Sequence, residues 1–124
     1  MMRLNGILRS NTILYCRHWV ETVEFYRAVL GLVEAFANDW FVEFCLTERS
    51  FLSIADAART SIEDVAGQGV TLAWQVDDLA DAHGHLQALG IATTPVMRRL
   101  NAFVFYCHDP EGHRLEFWAE DSPE

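Results

Sequence analysis

FVFYCHDPEGHRLEF, residues 103–117, reads as a strand, a tight turn and a second strand, and it has a fainter copy earlier in the chain. In Asp109-Pro110-Glu111-Gly112 the aspartate can accept backbone hydrogen bonds, the proline presets φ and the glycine takes positive φ, as a tight hairpin requires. Phe103-Val104-Phe105-Tyr106-Cys107 answers to Phe41-Val42-Glu43-Phe44-Cys45 at an offset of 62, and Leu115-Glu116-Phe117 answers to Leu52-Ser53-Ile54 at 63. Upstream, Leu89-Gly90-Ile91 matches Leu30-Gly31-Leu32 at 59. The order is kept along both halves, so the chain reads as two modules of about 60 residues. At the offset of 62, Cys45 and Cys107 fall at equivalent positions.

The hydrophobic period changes in the same order in each module. Asn11–Cys16 is short and apolar-rich, and Trp19, Val23, Tyr26 and Leu30 then recur at helical spacing before Gly31 as C-cap. Thr71–Val76 reads as the matching strand, Asp77 or Asp78 as the next N-cap, and Leu79, Ala82, Leu86 and Leu89 as the buried stripe before Gly90. Three strand-like runs follow each cap, about 32–37, 40–46 and 50–56, then 91–97, 102–108 and 113–119. The expected class is therefore α+β, with two tandem βαβββ modules at about 8–56 and 70–120. A polar, glycine-containing linker, 57–69, joins them within one domain.

Composition narrows the function. The chain has 124 residues, enough for a hydrophobic core without metal or disulfide staples. Lys plus Arg is 9 against 18 for Asp plus Glu, a net charge of −9, which disfavours nucleic acid and anionic membrane as partners. Three cysteines and a Met-Met-Arg start without an apolar run lead us to expect free thiols and a cytoplasmic location. No apolar stretch approaches the ~20 residues of a membrane span.

Asn11-Thr12-Ile13-Leu14, Thr22-Val23-Glu24-Phe25-Tyr26 with Leu30-Gly31-Leu32, and Asp109-Pro110-Glu111-Gly112-His113-Arg114-Leu115-Glu116-Phe117 together resemble the vicinal oxygen chelate superfamily. That group includes glyoxalase I, extradiol dioxygenases, fosfomycin-resistance enzymes and bleomycin-resistance proteins. The resemblance spans about residues 8–120. It implies a cup-shaped, mostly antiparallel eight-stranded sheet. In metal-using members it further implies one metal ligand from the first and last strand of each module, commonly His or Gln, Glu, His and Glu. Carried over, those positions hold Asn11, Ser53, Thr71 and Glu116, of which only Glu116 matches.

A transition metal needs about three imidazole or carboxylate ligands. The expectation is thus no metal ligand set and no cofactor, as in the bleomycin-resistance branch, with a divalent metal built on Glu116 as the alternative. Alternation along the last strand puts Arg114, Glu116 and Trp118 on one face. Asn11, Ile13 and Tyr15 share a face of the first strand, and Thr71, Ala73 and Gln75 a face of the fifth. The candidate ligand-binding residues are therefore Asn11, Tyr15, Ser53, Thr71, Gln75, Arg114, Glu116 and Trp118, with Glu116 as the candidate catalytic group.

Plainer alternatives stand beside these. His83 and His85 diverge on a helix, and His108 and His113 suit a solvated turn. Cys45 and Cys107 suit inert core positions, and Trp40, Trp74 and Trp118 suit either an aromatic wall or simple packing. Arg98-Arg99 reads as a solvated loop. Leu100-Asn101-Ala102 stands where many relatives have a glycine-rich loop. The expected function is metal-independent binding of a small organic ligand, such as an antibiotic, another xenobiotic or an aromatic metabolite, by a homodimer. The rival readings are a lyase, isomerase or dioxygenase of glyoxalase type, and a dimerisation scaffold.

Overall fold

Eight strands divide evenly between two four-stranded sheets in the computed structural model, which describes residues 6–120. The chain separates into two compact units between Asp64 and Val65, inside the expected linker. Four of the six strand pairings are antiparallel and two are parallel.

In the first unit, β1 (Ser10–Cys16), β2 (Val33–Ala37), β3 (Phe41–Cys45) and β4 (Ser50–Asp56) lie in the order β1-β4-β3-β2. Central β4 is buried on both faces from Leu52 to Ala55, which explains its small Ser53 and Ala55. Leu14, Cys16, Val42, Phe44, Leu52 and Ile54 form the core-facing set. Against them packs a helix, α1 (Trp19–Glu24), which runs on into a π-helical turn, Phe25–Val29. There Leu30 N–H bonds to the Phe25 carbonyl five residues back. The turn widens the expected narrow stripe: Thr22, Val23, Phe25 and Tyr26 are buried, and Tyr26 meets Phe44 with ring centroids 6.3 Å apart. Trp19 is only half-buried and anchors by donating its indole N–H to the Ile54 carbonyl at 2.8 Å. Strand β3 begins one residue later than expected. The Asn38 carboxamide oxygen accepts from the N–H groups of Trp40 and Phe41, so Trp40 lies in the turn.

In the second unit, β5 (Thr71–Gln75), β6 (Met97–Arg99), β7 (Ala102–His108) and β8 (Arg114–Glu120) repeat the order as β5-β8-β7-β6. Helix α2 (Leu79–Ala88) is capped by the Asp78 carboxylate accepting from Asp81 N–H. It buries Leu79 and Leu86 and packs on β7 and β8, where Phe105, Leu115 and Phe117 are buried. Leu89 follows the last helical residue and is 51% exposed, which corrects the expected stripe. The run expected as a strand over 91–97 is regular only at Met97–Arg99. Pro95 has no N–H to give a ladder, so Thr94 alone ties the segment to Tyr106, through its N–H at 3.0 Å and its hydroxyl at 2.9 Å.

The paired hairpins correct one equivalence. Cys45 opposes Phe51 and His108 opposes Arg114, whereas Phe44 opposes Leu52 and Cys107 opposes Leu115. The structural offset is therefore 63, so Cys45 corresponds to His108 and Cys107 to Phe44.

Candidate functional site

Alternation along β8 holds as read from sequence. Leu115 and Phe117 are buried, while Arg114, Glu116 and Trp118 occupy the other face. Register adds Thr71, Ala73 and Gln75 from β5, and His108, Tyr106 and Val104 from β7, with Tyr106 directly opposite Glu116. Arg114 donates from Nε to the Thr71 hydroxyl at 2.9 Å, and its guanidinium carbon lies 4.6 Å from the centre of the Tyr106 ring. Glu116 is half-buried, and its carboxylate takes no hydrogen bond or ion pair from a described residue. Trp118 is the tryptophan of this face. Trp74 points the other way and packs edge-on against Phe117 at 5.9 Å.

The first sheet is arranged differently. Asn11, Tyr15 and Ser53 share one face, and register puts Glu43 of β3 opposite Ser53 on it. Ser53 is fully buried and donates to Asn11 Oδ1 at 2.8 Å; Asn11 Nδ2 donates to Glu43 Oε2 at 3.3 Å, and Arg9 donates to the same oxygen at 3.0 Å. Arg9 also lies 3.8 Å over the Phe51 ring. Asn11 and Ser53 are thus engaged with each other and with a neutralised carboxylate. Tyr15 is half-buried nearby on β1.

Glu43 and Tyr106 were not identified from sequence. Apolar residues occupy both parities of Phe41–Cys45 and Ala102–His108, so alternation does not orient these strands. A cavity of about 690 Å³ elsewhere in the first unit, lined by Arg17, Asp56, Thr60 and Glu63 among others, contains none of the candidate residues.

The turn before β8 is not solvated, which corrects the reading of His113. Asp109, Glu111 and His113 are about 95% buried. Asp109 Oδ1 accepts from the N–H groups of Glu111, Gly112 and His113, and Oδ2 accepts from His113 Nδ1 at 2.7 Å. A carboxylate can only accept, so Nδ1 carries the proton. Val65–Gly69 closes over this turn: a side chain on Gly67 would meet Gly112 and His113 backbone at 2.3 Å, and Gly112 itself sits at φ +109°. His83 is also structural, bonding the Thr94 carbonyl at 3.0 Å and the Thr93 hydroxyl at 3.1 Å. The buried Cys107 thiol is pushed up to about 11, first by burial and then by the Asp109 charge.

The model of the glyoxalase/bleomycin resistance protein/dioxygenase superfamily matches residues 9–117. The chain belongs to that superfamily. Solved structures agree on the fold. A lactoylglutathione lyase from Agrobacterium tumefaciens matches with a TM-score of 0.75 at 22% identity, over 94% of this chain and 96% of its own. A glyoxalase/bleomycin resistance protein/dioxygenase from Nocardioides gives 0.80 at 23%, over 100% and 89%. An antibiotic binding protein from a Streptomyces species gives 0.78 at 13%, over 97% and 99%. No curated protein sequence matches significantly. Such identities speak for the fold and leave the chemistry to the residues.

The donor set does not fit a superfamily metal ion. Of Asn11, Ser53, Thr71 and Glu116, the first two are hydrogen-bonded to each other and the third accepts from Arg114. Glu116 is the one anion, and no group of three or more His, Cys, Asp or Glu suited to a metal occurs among the described residues.

Proposed function

We propose that this superfamily member binds a small organic molecule without a metal ion, on the second-sheet face formed by Thr71, Gln75, Tyr106, Arg114, Glu116 and Trp118. The observation that carries this reading is half-buried Glu116, whose carboxylate has no partner among the described residues and stands among aromatic and polar neighbours. An unengaged carboxylate beside aromatic and hydroxyl groups offers a ligand donor a charge-assisted hydrogen bond. Asn11 and Ser53 then act as a support of the first sheet, with Tyr15 beside them. The same reading takes the protein to be a cytoplasmic homodimer. Val33 and Phe36, exposed on edge strand β2, offer apolar surface to a second copy. Sedimentation of the wild type and Phe36→Lys reads that part separately.

Calorimetric titration of chelator-treated protein with Ni, Co, Zn, Mn and Fe(II), repeated on Glu116→Gln, tests the central claim. The expected result is no micromolar binding in either protein. Micromolar binding abolished by Glu116→Gln would overturn the proposal in favour of a metal-dependent lyase, isomerase or dioxygenase.

A further inference from the structure

Arg114 and Glu116 stand two residues apart on one face of β8, carry opposite charges, and form no ion pair with each other or with any described residue. Strand rise puts their Cα atoms about 6.6 Å apart. The cause of their separation is visible. Thr71 holds Arg114 by Nε and the guanidinium carbon sits over the Tyr106 ring, which leaves the two terminal NH₂ groups to donate elsewhere. Tyr106 faces Glu116 across the ladder, and Trp118 follows on the same face.

Charge restricts what fits. The chain's net charge of −9 repels a simple anion, while a simple cation drawn to Glu116 meets Arg114 beside it. A molecule carrying both charges satisfies both groups. Resting on the reading of this face as a ligand site, we infer that its ligand is a small zwitterion with a flat apolar body. The anionic group takes the terminal nitrogens of Arg114, the ammonium takes the Glu116 carboxylate, and the body lies along Tyr106 and Trp118.

Three probes on one ring separate the contributions: 4-(aminomethyl)benzoate, with charges at opposite ends, and its halves, benzylamine and benzoate. Binding is followed on the full chain by amide and indole shifts in ¹H–¹⁵N spectra, with neutral benzyl alcohol as the fourth probe. The zwitterion should bind at least about tenfold tighter than either half, as expected for one additional charged hydrogen bond. Glu116→Gln should reduce it to the affinity of benzoate, and Arg114→Gln to that of benzylamine; dispersed spectra of both variants verify the fold. Equal affinity of the zwitterion and one half, or insensitivity to either substitution, overturns the inference. Benzyl alcohol binding this face as tightly as the zwitterion would remove the zwitterion and leave the small-molecule reading standing. If none of the four probes shifts the face at about 10 mM, both readings fall.

Discussion

The two sheets share a frame and differ in what they leave available. On the face away from its helix each hairpin carries a carboxylate that is not fully exposed, but on different strands: Glu43 on β3 and Glu116 on β8, where the exposed Glu120 follows at the strand end. At the offset of 63, Glu43 corresponds to Tyr106 and Ser53 to Glu116. In the first sheet Arg9 reaches the acid, and Asn11 and Ser53 complete a closed chain of hydrogen bonds. In the second, Thr71 and Tyr106 hold the nearest arginine, and the acid takes no partner among the described residues. Position on the repeat therefore does not decide whether a polar residue is engaged. The reach of its neighbours does.

The turns differ in the opposite sense, and this sets the largest expected effect. The β7–β8 turn encloses a buried Asp109–His113 pair, while the β3–β4 turn rests on a 2.7 Å contact between the exposed Thr47 and Ser50 hydroxyls. Asp109→Ala strands the His113 ring and the backbone N–H groups of Glu111 and His113, while Gly112 N–H keeps the residue-109 carbonyl, so we expect a loss of about 3–5 kcal/mol in urea unfolding. Thr47→Ala should cost less than about 1 kcal/mol. Similar losses in the two variants would break the contrast between the turns.

The thiols sharpen it at intermediate size. The folded Cys107 value of about 11 lies above its ordinary value of 9.0. Its contribution to stability is thus complete below about pH 9 and is lost as pH rises through 11, a change of about 2–3 kcal/mol. The wild type should lose that much more stability than Cys107→Ala between these limits. Parallel pH profiles for the two proteins would contradict the burial assigned to this thiol. Cys45, half-buried at the position corresponding to His108, should be the first of the three cysteines to react with a thiol reagent.

Much of the fold was legible because its signals are local. Asp109-Pro110-Glu111-Gly112 announces a hairpin by backbone chemistry, Asp78 is the one of the two expected aspartates that caps α2, and the alternation of Arg114–Trp118 gives the face of Glu116 correctly. The rest depended on what neighbouring strands bring. Phe41–Cys45 and Ala102–His108 have apolar residues at both parities, so neither Glu43 nor Tyr106 could be assigned a face. His113 looked solvated because turns are usually exposed, and only the closure of Val65–Gly69 over Gly112 buries it. Pro95 shortened β6 in a way that strand propensity does not register.

The smallest effect bears most directly on the comparison of the two acids, because it separates stability from binding. Arg9 is about half exposed while Glu43 is 15% exposed, so solvent screens much of their attraction. Glu43→Gln should therefore cost only about 0.5–1 kcal/mol, mainly through the Arg9 and Asn11 bonds, and leave probe binding at the second sheet unchanged. Glu116→Gln loses no partner among the described residues, so its stability should stay within about 0.5 kcal/mol of the wild type while affinity for 4-(aminomethyl)benzoate falls. If Glu116→Gln instead destabilises the fold as much as Glu43→Gln does, then Glu116 has a structural partner and the second sheet is as closed as the first. If both substitutions weaken binding equally, the supporting role given to Glu43 is wrong.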